Sequence, residues 1–196
     1  YNKEKASWLK ESIESMLNQT VKPSELVVIK DGRLTDELDE VIDGLQMKNQ
    51  DVFSVYPLSQ NVGLGPALAY GIKKCKCELI VRMDSDDISD RKRCEKLIKK
   101  YQEDTSIDIV GSWESEFEGR IDNICAIHRV PETSQEIYEY MKRRCAILHP
   151  TVMFKKSAVL AAGNYRNIKL YEDYDLFMRM VVECQMKAYN IQESLY

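Results

Sequence analysis

Three short runs rich in apolar and β-branched residues alternate with amphipathic segments in the first part of the chain. The runs lie at residues 25–29, 52–56 and 79–83. Between and before them, apolar residues recur at helical spacing at about 3–18, 38–45 and after Gly63. Strands that alternate with helices through short connections form parallel sheets with crossover helices. The sequence therefore predicts an α/β fold with a Rossmann-like, mostly parallel sheet flanked by helices.

The rest of the chain continues with mixed elements. Apolar spacing predicts helices near 90–102, 134–143, 156–162 and 172–184, and strands near 107–111 and 151–154. The polar segment 112–130 has alternating stretches and is compatible with antiparallel strands. Trp8 and the apolar helix positions are predicted to lie in the core. With 196 residues, 44% of them hydrophobic, the chain has the size of a single globular domain.

The charge and cysteine content exclude several functional classes. The net charge is −4 with no basic block, so nucleic acid is not an expected partner. No apolar run approaches the roughly 20 residues that cross a bilayer, and no signal peptide is recognisable. The six cysteines include no C-x-x-C pair, which argues against a structural zinc site. Reduced thiols in a cytoplasmic protein are the simpler interpretation.

The third run ends in the acidic cluster Asp84-Ser85-Asp86-Asp87. A helix cap would account for one aspartate but not for three. An EF-hand is excluded because the required glycine and glutamate are missing. A hard cation such as Mn²⁺ or Mg²⁺, completed by substrate phosphates, suits this spacing. Ligands in parallel sheets bind beyond the carboxyl ends of strands, so Asp31 and Asn61 are expected in the same crevice.

Three further motifs carry weaker signals. Glu172-Asp173 suits the first turn of a helix, where acidic residues favour the dipole; the alternative is a general base. Gly63-x-Gly65 is a partial dinucleotide fingerprint without its third glycine, because Leu68 stands there. A tight strand-to-helix turn explains it equally well. His149 is expected to be structural.

Taken in order, these pieces resemble family 2 of the inverting, nucleotide-sugar-dependent glycosyltransferases, which have the GT-A fold. The resemblance is to the bacterial members that build capsule, exopolysaccharide or lipopolysaccharide. It rests on an ordered set of segments spread along the chain: Tyr1-Asn2, 15–20 (SMLNQT), 25–32 (ELVVIKDG), 61–65 (NVGLG), 84–87 (DSDD), Arg93, 145–157 and Glu172-Asp173.

The resemblance implies roles for individual residues. Tyr1 would pack near the nucleotide base, and Asp31 would accept a hydrogen bond from the base imide. Asp84 would contact the ribose or the metal, and Asp86 would ligate the Mn²⁺ or Mg²⁺ that bridges the diphosphate. Asp173 would be the catalytic base. The departure is Lys30, which replaces the first acidic residue of the family's D-D-G-S motif.

The resemblance also implies partners and organisation. The donor would be a nucleotide-diphosphate sugar, with UDP-sugar expected, and the acceptor a glycan or a lipid-linked glycan. Residues 1–111 would form the nucleotide-sugar half and residues 112–196 the acceptor half of one domain, apparently without the family's first strand. A lipid-linked acceptor would place the protein at the inner face of the cell membrane.

Other functions share some of these features. A haloacid dehalogenase-type phosphohydrolase also has D-x-D after a strand, but Ile88 stands where that motif requires Thr or Val. A nucleotidyltransferase shares nucleotide and metal, and its basic phosphate loop would precede Tyr1. A binding module of the same fold without transfer activity is the non-enzymatic alternative.

Overall fold

The computed structural model describes residues 4–196. Seven helices and seven strands, in the order α1-β1-α2-β2-α3-β3-α4-β4-β5-α5-β6-α6-α7-β7, make up this part of the chain. The helices are α1 Ala6–Leu17, α2 Asp36–Lys48, α3 Leu64–Lys74, α4 Arg93–Glu103, α5 Ser134–Met141, α6 Lys156–Ala161 and α7 Glu172–Met178. The strands are β1 Leu26–Lys30, β2 Phe53–Pro57, β3 Leu79–Val81, β4 Ile109–Phe117, β5 Ile124–His128, β6 Met153–Lys155 and β7 Ala188–Ser194.

The predicted α/β class is confirmed, with helices packed on the strands. β1 and β2 run parallel, with Val28 opposite Val55. β4 runs parallel to β7. β6 lies antiparallel between β3 and β4, and β4 turns back into antiparallel β5. The antiparallel character expected for 112–130 is therefore confirmed.

One expectation about the sheet needs correction, and one strand was not predicted. β3 pairs with β6 and not with β1 or β2 in the described residues, so the first three strands do not form one continuous ladder. β7 was not expected from the sequence. The pairing of β3 with β6 and the pairing of β7 with β4 both depend on which strands meet in space. The apolar periodicity within one strand does not encode this.

The helix starts follow local chemistry. Thr35 caps α2, since its hydroxyl accepts from the N–H of Leu38, and acidic residues follow in the first turn. Thr133 and Glu136 form a capping box at the start of α5. The last predicted helix divides: α7 ends at Met178 and a π-helical turn, Arg179–Glu183, completes it.

Three apolar clusters hold these layers together. The largest lies between α7, β6 and α6 around Phe154, Phe177 and Leu176. The second lies under α1 and α2 around Leu38 and Ile42. Trp8 was expected in the core, but its side chain is 43% exposed. Leu9, Ile13 and Met16 cover the inner face of α1, and Trp8 falls on the flank, where Lys5 stacks over its ring.

Candidate active site

The acidic loop 84–87 leaves the end of β3 and is held by α1. The hydroxyl of Ser12 donates to the carbonyl of Asp84. Ser15 accepts from the N–H of Ser89 at 3.1 Å. Gln19, which is buried, donates to the carbonyl of Asp90 at 2.7 Å and accepts from the N–H of Cys94 at 2.9 Å. The segment 15–20 therefore positions the loop that carries the predicted metal ligands.

Asp84 is held by contacts to both its side chain and its backbone. Its carboxylate forms an ion pair with the guanidinium of Arg82. Its backbone N–H donates to the phenol oxygen of Tyr196 at 3.0 Å. The side chain of Arg93, fully buried, donates to the carbonyls of Arg82 and Pro150, both at 2.7 Å. Burial lowers the pKa of Arg93 to about 10. Arg93 thus ties the end of β3 to the 149–152 turn and does not reach the crevice.

The remaining carboxylates repel one another. Burial, followed by the charges of Asp84 and Asp86, raises the pKa of Asp87. Burial also raises the pKa of Glu4 and of Glu114, with charges of the cluster adding to it. Oxygen donors with an excess of negative charge suit a hard divalent cation. Among residues 4–196, however, no three Asp, Glu, His or Cys side chains converge as a metal site, so a cation there would need ligands from substrate phosphates.

Asp31 lies at the carboxyl end of β1 and clamps the start of α3. Its two carboxylate oxygens accept from the N–H groups of Val62 (2.7 Å) and Gly63 (3.0 Å). Gly32 follows with φ +85°, and a Cβ there would stand 2.7 Å from the backbone nitrogen of Asn61. The tight approach of the 31–32 and 61–63 turns therefore requires glycine at position 32. Asp31 and Asn61 therefore lie together, as expected, whereas among the described residues no hydrogen bond or ion pair links them to the acidic loop 84–87.

Lys30, the last residue of β1, is paired with α2. The ammonium of Lys30 forms an ion pair with Asp39 of α2, so this departure from the family motif is accommodated by a salt bridge. Tyr1 lies outside the described residues.

Asp173 lies in the first turn of α7, next to a loop that crosses the start of α3. A Cβ on Gly65 would meet the carbonyl oxygen of Arg166 at 2.2 Å and Glu172 Cβ at 3.3 Å. The buried Arg179 pairs with Asp175 at 2.6 Å and donates to the carbonyl of Asn164 at 2.8 Å. Because of these contacts, Gly65 and Arg179 fix the position of the turn that presents Asp173.

Tyr165 is a buried phenol that packs beside His149. Burial raises the pKa of its phenol; the charge of Arg82 opposes this, and those of Asp173 and Asp84 reinforce it. The Tyr165 hydroxyl is 2.9 Å from Nε2 of His149.

His149 is structural, as expected. Its ring is buried and packs against Tyr165 and Phe177. Burial, with the charge of Arg82, lowers its pKa well below the usual range, so the imidazole is neutral at pH 7.

Sequence reasoning missed Arg82, Tyr196 and Tyr165. A signal existed for Arg82: in an extended segment, residues i and i+2 point the same way, so Arg82 and Asp84 share a side. Nothing local marked Tyr196 or Tyr165, which come from distant segments.

Comparison with known proteins identifies the family of this chain. The sequence profile of Glycosyl transferase family 2 matches residues 1–163. An Escherichia coli protein named UDP-Gal:alpha-D-GlcNAc-diphosphoundecaprenol beta-1,3-galactosyltransferase is 35% identical over 199 residues, covering 100% of this chain and 70% of that protein. The amylovoran biosynthesis glycosyltransferase AmsE of Erwinia amylovora is 31% identical, covering 92% of this chain and 66% of that protein.

Solved structures show the same fold. The mannosyltransferase PcManGT from Pyrobaculum calidifontis, in complex with GDP-Man and Mn²⁺, superposes with a TM-score of 0.71 at 14% identity, over 97% of this chain and 52% of that one. Staphylococcus aureus TarS 1–349 with UDP-GlcNAc gives 0.71 at 17% identity, over 97% and 54%. The chain thus spans about half the length of these structures. The fold is GT-A, and the chain belongs to glycosyl transferase family 2.

Proposed function

We propose that this domain transfers a sugar from a UDP-sugar to a hydroxyl of a glycan or lipid-linked acceptor, with inversion and with Mn²⁺ or Mg²⁺. The observation that carries the proposal is the acidic loop at the end of β3, which α1 holds in place and in which Asp84 is paired with Arg82. The chain belongs to a family whose members transfer sugars. The name of the Escherichia coli relative includes a UDP-linked donor and a diphosphoundecaprenol acceptor, which supports this choice of substrates.

The proposed mechanism assigns each step to a residue. Asp31 would accept a hydrogen bond from the imide N–H of the base, and Asp84 would orient the ribose side or contribute to the metal site. Asp86 would hold the Mn²⁺ or Mg²⁺, and Tyr1, which lies outside the described residues, would contact the base. Asp173 takes the proton of the acceptor hydroxyl as its oxygen attacks the anomeric carbon in line. The bond from that carbon to the diphosphate breaks on the opposite face, which inverts the configuration. A bound divalent cation would offset the negative charge of the departing diphosphate.

Two further proposals concern contact with the membrane and the free edges of β1 and β3. A lipid-linked acceptor would bring the domain to the inner face of the cell membrane. None of the helices in residues 4–196 is long and apolar enough to cross a bilayer. In the described residues β1 pairs with β2 alone and β3 with β6 alone, so each has a free edge that suits the family's first strand. The backbone N–H groups of β1 that face away from β2 have no strand partner in the described residues. Their hydrogens should therefore exchange rapidly with solvent deuterium.

Calorimetry with UDP, with and without Mn²⁺, tests the donor site. We expect UDP to bind, Mn²⁺ to tighten binding, and Asp86→Ala to remove the contribution of the metal. No binding of UDP, GDP or dTDP under either condition would overturn the proposal.

A transfer assay tests the base. Asp173→Asn should abolish transfer and leave UDP binding intact, whereas the exposed Asp51→Asn should retain both. Transfer by Asp173→Asn at the wild-type rate would assign the base elsewhere. UDP binding without transfer to any acceptor would favour the binding-module alternative.

A further inference from the structure

Arg82 is a buried cation directly beneath the acidic cluster. Its side chain is 6% exposed, and its Nη1 is paired with Oδ2 of Asp84. Its Nε has no hydrogen-bond partner among the described residues. A buried guanidinium with an unpaired N–H is a poor contributor to stability. Its presence at this position therefore calls for a role in the site.

The surroundings of Arg82 leave Asp84 as its one ion-pair partner in residues 4–196. Arg93 packs against it and donates to its carbonyl, which adds a second positive charge. Tyr165, Tyr196 and the neutral His149 complete its neighbourhood. Asp87 is close enough to sense the charge of Arg82 but forms no ion pair with it. Most of the compensating effect of Arg82 therefore falls on Asp84.

Asp84 and Asp86 consequently differ, although both belong to the same motif. The side chain of Asp84 is one-third exposed and charge-compensated, and its backbone is held by Ser12 and Tyr196. The Asp86 carboxylate has no ion-pair partner in the described part of the chain. Of the two carboxylates Asp84 and Asp86, only that of Asp86 is therefore free of a cationic partner when a metal ion approaches the loop.

We propose that Arg82 is a positioning residue that fixes Asp84 and, as a resident counter-cation, makes metal binding conditional on the donor diphosphate. This inference rests on the proposed function. A positive charge a few ångströms from Asp84 weakens the attraction of the cluster for a second cation. The diphosphate brings the negative charge and oxygen ligands that restore it, in keeping with the preference of Mg²⁺ for one or two carboxylates plus phosphates.

Titration of the nucleotide-free protein with Mn²⁺, followed by electron paramagnetic resonance, tests the inference without any turnover. Arg82→Met removes the counter-cation and should tighten Mn²⁺ binding by about tenfold or more. Arg82→Lys keeps the charge and should stay near wild type. Arg120→Met removes an arginine from an exposed pair with Asp122 and should have no effect. A merely structural role for Arg82 would not tighten binding of a metal.

A double-mutant comparison identifies the carboxylate involved. When Asp84→Asn is already present, Arg82→Met should improve Mn²⁺ affinity less than it does in the wild-type background, because no carboxylate at position 84 is freed to bind the cation. If Arg82→Met fails to fold, the single variants still decide. Asp84→Asn leaves the charge of Arg82 uncompensated and should weaken nucleotide-free Mn²⁺ binding by up to about tenfold, whereas Asp86→Asn should largely abolish it.

Two outcomes would overturn the inference. One is a folded Arg82→Met protein that binds Mn²⁺ no more tightly than wild type. The other is a loss in Asp84→Asn as large as in Asp86→Asn. Neither depends on UDP, so failure of UDP binding would count against the proposed function alone.

Discussion

The backbone N–H of Asp84 donates a hydrogen bond to the phenol oxygen of Tyr196, 3.0 Å away. The two residues are 112 positions apart, and the contact places a residue that follows β7 beneath the first carboxylate of the acidic cluster. The ring of Tyr196 also stacks on the guanidinium of Arg93. The conformation of the acidic loop therefore depends on β7 as well as on β3.

Tyr196→Phe tests this dependence. The variant keeps the ring but leaves the N–H of Asp84 without its partner, so we expect a loss of about 1–2 kcal/mol in the free energy of unfolding. Metal-dependent UDP affinity should fall as well. Urea denaturation and calorimetry measure the two effects. Tyr140→Phe, at an exposed position on α5, is the control and should change neither; wild-type stability in Tyr196→Phe would contradict the assigned role.

The close approach of Gly65 to Arg166 yields a paired prediction. In Gly65→Ala the new Cβ would collide with the Arg166 carbonyl, so the loop before α7 must move. We expect a loss of about 1–3 kcal/mol in stability and a larger decrease in transfer than in UDP affinity, because that loop leads into Asp173. In the interior of α2, Gly44→Ala meets nothing within 4 Å and should instead stabilise the protein by about 0.5–1 kcal/mol. Equal effects from both substitutions would contradict this account.

Asp31 is expected to act on both the fold and the nucleotide. Asp31→Asn replaces one of two acceptor oxygens with an N–H₂ group that faces a backbone N–H, so we expect a loss of about 1–3 kcal/mol together with weaker UDP binding. Asp43→Asn, exposed on α2, is the matched control. Weaker UDP binding at unchanged stability would show that Asp31 acts on the nucleotide base and that its hydrogen bonds to residues 62–63 contribute little to stability.

The buried imidazole of His149 predicts an acid-side loss of stability. Its pKa in the folded protein lies well below the ordinary value of 6.5, so below pH 6.5 the unfolded chain binds a proton that the folded chain does not. Stability should therefore decrease as pH falls, by up to about 1.4 kcal/mol per pH unit from this residue.

Denaturant unfolding between pH 7.5 and 5 measures this slope. His149→Gln should be less stable at pH 7.5 but show a shallower pH dependence. An unchanged slope in His149→Gln would assign the acid sensitivity to other groups.

The family, the strand–helix alternation and the acidic cluster could be predicted because each depends on residues close together in the chain. Apolar periodicity identified α1 to α4, and the spacing of Asp84 and Asp86 after an apolar run indicated a site at the end of β3. The inward face of α1 was assigned through Leu9 and Ile13. Trp8 was assigned wrongly, because periodicity gives the direction of a helix face but not how far the neighbouring layer extends over its flank.

By itself, the sequence determined the α/β class, the family and the position of the carboxylates along the chain, since periodicity and motif spacing are local properties. Only the tertiary structure decided which strand lies beside β3, that Lys30 pairs with Asp39, and that Arg82 and Tyr196 support Asp84. Each of these contacts joins segments that are distant in the chain, and a charged residue in a sequence does not specify which residue it will pair with. Burial and distance do so, and both arise only when the distant segments have packed together.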